Sequence, residues 1–382
     1  MGAVRPRDVV FAFFSVPWTI AVERELIMPE DRLADALTRH PAVPRLLVAD
    51  PYRSVLGRVA DRIRRRPQAP FPSSDTRTLH EPLRLRRADP VDPARTMARY
   101  EAGVRRAAQR AGLERPAVIT AHPLFAGFGK FDWAGPVTYY AWDNWSGSEP
   151  FRPYWPAYEE AYRRMRETGR RAVAISQHAL DVVAPTGPSA VIPNGLEPAE
   201  WASLGEPPDW FAAKSRPRLL YVGSLDSRVD LVQLRAIAEA YPEGSVTLMG
   251  NILDAAHFEP VADVPNLEFA PAVQRAELVR TIGGADACLI PHVRNELTEA
   301  MSPLKLYEYL AGGRPVAAVD LEPIAAVQNP RLVFGSVGGD LRPMVAKALE
   351  IGPAAEAERL AFVDENAWSG RFERLLELAL AE

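Results

Sequence analysis

The sequence predicts an α/β protein built from two domains, each with a parallel sheet covered on both faces. Three observations predict it. Short, continuously apolar runs alternate with helical patterns along the chain, as buried parallel strands and their crossover helices do. The length, 382 residues, exceeds what one ordinary core serves. A stretch at residues 192–220, with an Asn-Gly turn and five prolines, separates two such series.

In the first half, "DVVFAFFSV", "RLLVAD", "AVITAH", "VTYYAW" and "AVAIS" are expected strands. In the second half they are "RLLYVGS", "SVTLMG", "NLEFA", "ACLIP", "PVAAVD" and "RLVFG". Between them, "EEAYRRMRET", "DLVQLRAIAEAY" and "RAELVRTIGG" carry helical periodicity. Residues 67–93 are rich in Pro and Arg with weak periodicity and are expected to form an extended loop. The domains are expected at 1–200 and 201–365. A last helix, "SGRFERLLELALAE", is expected to cross back to the first domain from residues 366–382.

Composition narrows the function classes. A hydrophobic content of 47% and a charged content of 25% are those of a soluble globular protein. No apolar run reaches the length of a membrane span, and the N-terminus does not have the pattern of a secretion signal. Cys288 is the one cysteine, so neither an internal disulfide nor a cysteine-rich metal site is expected. The six histidines show no close ligand spacing, and no metal or other cofactor is expected. Cytoplasmic location is the default. The net charge of −4 conceals a basic segment, residues 53–110, with fifteen arginines against six acidic residues. Two readings of it stay open: a solvated surface, or a platform for an anionic partner such as a phosphorylated acceptor or a lipid surface. Residues 54–66 place apolar groups on one helical face and arginines on the other, which suits a surface helix or peripheral membrane contact.

The chain has 41 arginines and four lysines, so each lysine deserves inspection. Lys305 lies in "SPLKLYEYLAGGRPVAAVD", residues 302–320. Ser302 is expected as N-cap and Pro303 as the first helical residue. Lys305 and Glu308 then share a face, and Gly312–Gly313 ends the helix. A helix N-terminus following the strand "ACLIP" is where α/β domains bind phosphate. Lys305 would add charge, and Glu308 would accept from ribose hydroxyls. The competing reading is an exposed i,i+3 ion pair of little energetic consequence. A second element favours the first reading. "YVGSLDSRVDL" is strand, turn and helix start, where Gly223 permits close backbone approach and Arg228 can reach a diphosphate. The turn has no G-x-G-x-x-G and no Walker A lysine loop, which disfavours dinucleotide oxidoreductases and P-loop enzymes.

Together, "PNG", "YVGSLDSRVD" and "ADACLIPHVRNELTEAMSPLKLYEYLAGGRPVAAVD" resemble the retaining glycosyltransferases of family 4, which have the GT-B fold. They are most similar to the subgroup with a Pro-x-Lys-x-x-Glu-Tyr-Leu-Ala-x-Gly-x-Pro-Val signature, which includes teichuronic-acid-type enzymes. The resemblance runs from about residue 137 to the end and is specific in the second half. It implies two Rossmann-like domains facing each other across a cleft. The second would bind a nucleotide-diphosphate sugar, with Lys305 and Arg228 neutralising the leaving diphosphate and Glu308 holding the ribose. Gly223, Ser224, His292, Glu299 and Ser302 complete the expected donor site. The family's first glutamate would fall at Ala300, and Glu299 is one residue out of register. The resemblance also implies transfer with retention by front-face attack, without a catalytic metal.

Acceptors bind the first domain in this family. Trp18, His122, Asp143, Asn144 and Trp145 follow expected strands there and are the acceptor candidates. His122 is similar to the family's cleft histidine, which contacts the transferred sugar; a satisfied loop histidine is the open alternative. The acceptor is a sugar, a lipid-linked group or a small molecule; no nucleic acid is expected. The Arg-, Ala- and Pro-rich composition fits a GC-rich bacterial source, and both polysaccharide and antibiotic-type biosynthesis stay open. A nucleotide-sugar epimerase and a non-catalytic nucleotide-sugar-binding protein are the rival functions.

Overall fold

The structure is a computed structural model that describes residues 5–55, 70–84, 92–147, 149–336 and 338–382. The expected amphipathic helix at 54–66 lies almost entirely outside the described residues, as does part of the expected loop at 67–93. The chain divides into two units. The first comprises residues up to Pro193 together with Ser369–Glu382; the second is Asn194–Trp368. Among the described residues, no helix is long and apolar enough to cross a membrane.

The first unit holds strands β1 (Val9–Ala12), β2 (Leu46–Ala49), β3 (Arg53–Ser54), β4 (Arg77–His80), β5 (Leu83–Arg84), β6 (Ala117–Thr120), β7 (Val137–Ala141), β8 (Arg171–Ala174) and β9 (Ser189–Val191). Its main sheet runs β4-β2-β1-β6-β7-β8-β9, and every pairing is parallel. β1, β2 and β6 are buried at every position, which is why they read as unbroken apolar runs. The edge strands escaped sequence reading for the same physical reason. β4 is half-buried throughout and β9 is partly exposed, so neither needs an apolar run. β4 and β5 correct the expectation of an extended loop across residues 67–93. Arg77 of β4 replaces apolar packing with hydrogen bonds, donating to the carbonyls of Thr38 (2.8 Å), Val43 (2.8 Å) and Pro44 (2.9 Å).

The C-terminal helix, Trp368–Leu380, is held to this unit over most of its length. Arg7 donates to the Leu380 carbonyl at 3.2 Å, Arg171 to that of Leu378 at 3.0 Å, and His40 Nε2 lies 3.0 Å from Glu373.

The second unit holds β10 (Arg218–Val222), β11 (Ser245–Met249), β12 (Leu267–Ala270), β13 (Ala287–Ile290), β14 (Val316–Val319) and β15 (Leu332–Gly335). They pair in parallel in the order β12-β11-β10-β13-β14-β15. The proline-rich segment belongs to this unit, because it carries its own anchors. Trp201 and Phe211 are fully buried in the core, each contributing about 2–3 kcal/mol of hydrophobic stabilisation. Arg359 donates to the Trp201 carbonyl at 2.7 Å and the Ala311 carbonyl at 3.0 Å. Leu196 and Trp368 exchange backbone bonds with the other crossing: Leu196 N reaches Asn366 O and Trp368 N reaches Leu196 O, both at 2.8 Å.

Candidate functional site

In a doubly wound sheet, ligands collect where the strand order reverses, beyond the carboxyl ends of the two central strands. In the second unit that point lies between β10 and β13. Gly223 and Ser224 follow β10, and His292 follows β13 by two residues. The helix Leu304–Ala311 brings Lys305 to the same place. Its Nζ sits 3.8 Å from the centroid of the Tyr221 ring, on a face that attracts cations, and 3.4 Å from His292 Nε2. The helix is fixed there by Tyr309, whose hydroxyl accepts from Val222 N at 2.6 Å.

The backbone is shaped around this ammonium. Gly223 has φ +137°, and a Cβ on it would lie 2.9 Å from Lys305 Nζ. Gly250, after β11, has φ +152°, and a Cβ there would overlap the Gly223 carbonyl oxygen. A side chain at Gly223 would fill the space in front of Lys305, and one at Gly250 would push the Gly223 backbone out of place.

Arg228 reaches the same cluster. Its Nε and Nη2 bind Asp226 Oδ1 and Oδ2 at 2.8 and 2.7 Å, and its carbonyl accepts from Val293 N at 2.9 Å, one residue past His292. Burial pushes the Asp226 carboxyl up, but Arg228 pulls it down further, leaving it below the usual range. Burial, and then the charge of Arg228, hold the Lys305 ammonium well below its ordinary value. His292 is held well below 6.5 by burial, then by Lys305 and Arg228. The imidazole is therefore neutral. Nε2 faces the Lys305 amino group, which has only protons to offer it, so the proton is assigned to Nδ1; the Tyr221 hydroxyl oxygen also lies 3.3 Å from Nε2. That Nδ1 is buried and has no partner among the described residues. The arrangement is a positively charged pocket wall with a neutral imidazole in it, suited to a polyanion.

Other expected donor residues are placed differently. Glu308 does not pair with Lys305; its carboxylate takes Arg275, whose Nη2 and Nε also bind Glu200 at 2.6 and 3.1 Å. The exposed i,i+3 pair is therefore not what these two residues form. Ser302 is not the N-cap: Pro303 occupies that position without a side-chain cap. Ser302 is buried and serves Asn194 instead, whose Nδ2 donates to the Ser302 carbonyl at 2.6 Å and whose backbone N reaches Oγ at 3.4 Å. Glu299 pairs with Arg294, which also donates to the Asp320 carbonyl at 2.9 Å. Ser224 contributes its carbonyl, which accepts from Tyr221 at 3.3 Å.

In the first unit the order reverses between β1 and β6. Phe14 follows β1 and His122 follows β6, with ring centroids 4.8 Å apart. Phe14 also meets Trp145 at 4.6 Å, joining two expected acceptor residues. The His122 imidazole is pushed down to about 3 by burial, so it is neutral. Its Nδ1 is buried without a partner among the described residues, which disfavours the reading of a satisfied loop histidine. Trp18, Asn144 and Trp145 correct the sequence reading. They are 3%, 2% and 4% exposed, so they build the wall rather than present a face. Trp18 packs edge-on to Phe71. Asp143 is half-buried and caps Asn144 N at 2.8 Å.

The Phe14 loop hangs on Glu30, which was not expected from the sequence. This fully buried carboxyl accepts from Phe14 N (3.0 Å), Ser15 N (3.1 Å) and the Ser15 hydroxyl. Burial raises it from 4.5 to about 7. A group whose folded value is raised contributes stability that is complete below pH 4.5 and is lost as pH rises through about 7. Glu30→Ala is expected to cost about 2–4 kcal/mol by leaving two backbone donors unpaired. Thermal melts from pH 4 to 8 should show the gap between wild type and variant narrowing as pH rises through about 7.

No protein-family model matches the chain. Over 155 residues it is 24% identical to a Bacillus subtilis (strain 168) protein described as "Putative teichuronic acid biosynthesis glycosyltransferase TuaH". That match spans 39% of this chain and 38% of the relative. Solved structures match nearly end to end. Sucrose-phosphate synthase from Thermosynechococcus elongatus superposes with a TM-score of 0.65 at 14% identity, covering 97% of both chains. Anabaena HepE in complex with UDP gives 0.59 at 12% identity, covering 98% of this chain and 97% of that one. The UDP-forming α,α-trehalose-phosphate synthase from Burkholderia xenovorans, in complex with glucose-6-phosphate, gives 0.64 at 13% identity, covering 98% and 100%.

The fold is GT-B. In it, each parallel-sheet unit has its own reversal point, and each reversal point here carries a neutral histidine beside an aromatic ring: His122 with Phe14, His292 with Tyr221. Tyr221, Asp226, Gly250 and Arg275 of this GT-B chain escaped sequence reading. Gly250 ends the run "SVTLMG", a signal comparable to Gly223; Arg275 had none, because its two partners lie 33 and 75 residues away.

Proposed function

We propose that the chain is a glycosyltransferase that moves a sugar from a nucleoside-diphosphate sugar to a hydroxyl acceptor with retention of configuration. The second unit, Asn194–Trp368, is the donor unit in this reading and the first is the acceptor unit. One observation carries it: Lys305, Arg228 and His292 converge at the β10/β13 reversal point. The chain's likeness to a teichuronic acid glycosyltransferase and to UDP-bound GT-B structures supports it.

Departure of the diphosphate leaves negative charge on its oxygens. Lys305 and Arg228 stand where that charge develops, and preorganised charges in a half-buried site act strongly on it. Asp226 shares Arg228 and keeps its fork oriented until phosphate oxygens compete for it. Glu308 keeps one oxygen on Arg275 and offers the other to the ribose. His122 is a neutral group of the acceptor unit in this reading. Surface polysaccharide synthesis is the setting the curated relative favours.

Assay of nucleoside diphosphate release tests the reading: release that requires acceptor supports transfer. Interconversion of the donor sugar without release would make the chain an epimerase, and binding without turnover would make it a binding protein. Product anomeric configuration by NMR tests retention. Glu308→Ala is expected to raise the donor KM about 10–100-fold while kcat falls by less than about threefold. Arg275→Gln should move KM in the same direction by a smaller factor. An equal fall in kcat and kcat/KM would show instead that Glu308 acts in the transition state.

A further inference from the structure

Part of the basic segment forms a helix of the first unit. On the helix Pro93–Arg110, arginines 95, 99, 106 and 110 fall within an arc of about 60°, given 100° per residue. Met97, Tyr100, Val104, Ala107 and Ala108 bury the opposite side. All four arginines are exposed, and none makes an ion pair among the described residues. Gly103 interrupts the stripe. His80, the last residue of β4, packs into that gap, its Nε2 lying 3.2 Å from where a Gly103 Cβ would be. That Nε2 is buried without a partner among the described residues.

Tyr52, beyond the carboxyl end of β2, is the meeting point. Its ring packs on Tyr100, next in sequence to Arg99, and Arg84 of β5 pairs with Ser54, two residues past Tyr52, so the charges of Arg99, Arg106 and Arg84 all act on its hydroxyl. Arg106 and Arg110 act likewise on His80, with Glu81 opposing them. The Tyr52 ring stands 5.3 Å from Tyr100, and Tyr100 stands 6.5 Å from His122. Tyr100 is fixed by donating to the Asp50 carbonyl at 3.0 Å. A file of rings therefore leads from the guanidinium cluster to the β1/β6 reversal point.

We propose that Arg99, Arg106, Arg84 and the Tyr52 hydroxyl form a phosphomonoester-binding subsite, and that the acceptor carries that phosphate while its reacting hydroxyl lies at His122. The inference rests on the transferase reading and names its acceptor class. A phosphomonoester is close to a dianion at neutral pH and offers three strong acceptor oxygens. Planar guanidinium forks match those oxygens, and a phenol adds one neutral donor. The cluster sits at the carboxyl ends of β2 and β4, the edge of the sheet where ligands collect. A solvated helix face would not need to converge on a half-buried phenol.

Glucose 6-phosphate and glucose serve as paired soluble probes, and UDP as the donor-side probe, in thermal shift and calorimetry on the full chain. Phosphatidylcholine vesicles carrying phosphatidic acid, a monoester, or phosphatidylglycerol, a diester, serve as lipid probes. Glucose 6-phosphate should raise the melting temperature and glucose should not. Arg99→Gln/Arg106→Gln, both exposed positions, should weaken the phosphate probe about 10–100-fold and leave the UDP response intact. Tyr52→Phe should weaken it a few-fold. Selective binding of phosphatidic acid vesicles, lost in the double variant, supports the same subsite with a lipid-linked acceptor. Equal binding to both vesicle types, a double variant that binds like wild type, or no phosphate probe binding at all overturns it. A wild type that ignores UDP and other nucleoside diphosphates overturns the transferase reading separately.

Discussion

Replacing Lys305 with alanine is expected to lower turnover about 10²–10³-fold, the usual cost of removing a group that stabilises developing charge. The melting temperature should stay level or rise. The ammonium has no carboxylate in ion-pair contact among the described residues; its neighbours are the Tyr221 ring, His292 and the nearby Arg228. Folding therefore works against its charge, and a stabilising role would predict the opposite result. The pH dependence follows. Lys305 is lowered in the folded state, so the unfolded chain holds more protons below pH 10.5. Its destabilising effect is absent above that pH and grows as pH falls toward the depressed folded value. A bound diphosphate would favour the charged form of Lys305, so donor binding is expected to be coupled to Lys305 protonation and to weaken as pH rises. Calorimetry in two buffers of different ionisation enthalpy should show the proton uptake in wild type and not in Lys305→Ala. Identical proton counts in the two proteins would remove Lys305 from the diphosphate site.

Gly250→Ala is expected to cost about 3–5 kcal/mol and to abolish donor binding. The added methyl would overlap the Gly223 carbonyl oxygen, and the residue would be held at φ +152°. Neither strain can relax without moving β10 or β11, whose last residues pair at Val222 and Met249. Because Gly223 faces Lys305, the same movement would displace the phosphate-binding wall. Gly370→Ala is the control: it lies on the Trp368–Leu380 helix with nothing within 4 Å, and should be neutral or slightly stabilising. Denaturant melts of both variants check the contrast. A Gly250→Ala protein as stable as wild type would mean that the two turns are not packed against each other.

The core strands and the switch-point positions were legible because burial on both faces demands a continuous apolar run. Edge strands β4 and β9 were not, since a half-exposed strand carries no such demand. The motif 302–320 revealed Lys305 and Glu308 as unusual residues, and the pairing of one with His292 and the other with Arg275 could not be read from it. Spacing on a helix tells which residues share a face. It does not tell which side chain from another element arrives there.

Local sequence thus determined the α/β class, the two strand series, the strand-to-helix turn at Gly223, the place of His292 after its strand, and the basic bias of residues 53–110. All are consequences of period, chain direction and charge within a few residues. Tertiary structure alone decided that Asp226 holds Arg228, that Glu30 secures the Phe14 loop, that Gly250 presses on Gly223, and that Trp18 and Trp145 are packed away. Long-range hydrogen bonds and ring contacts depend on how strands order themselves in a sheet. That order is set by the cooperative burial of the whole core, which no short segment encodes.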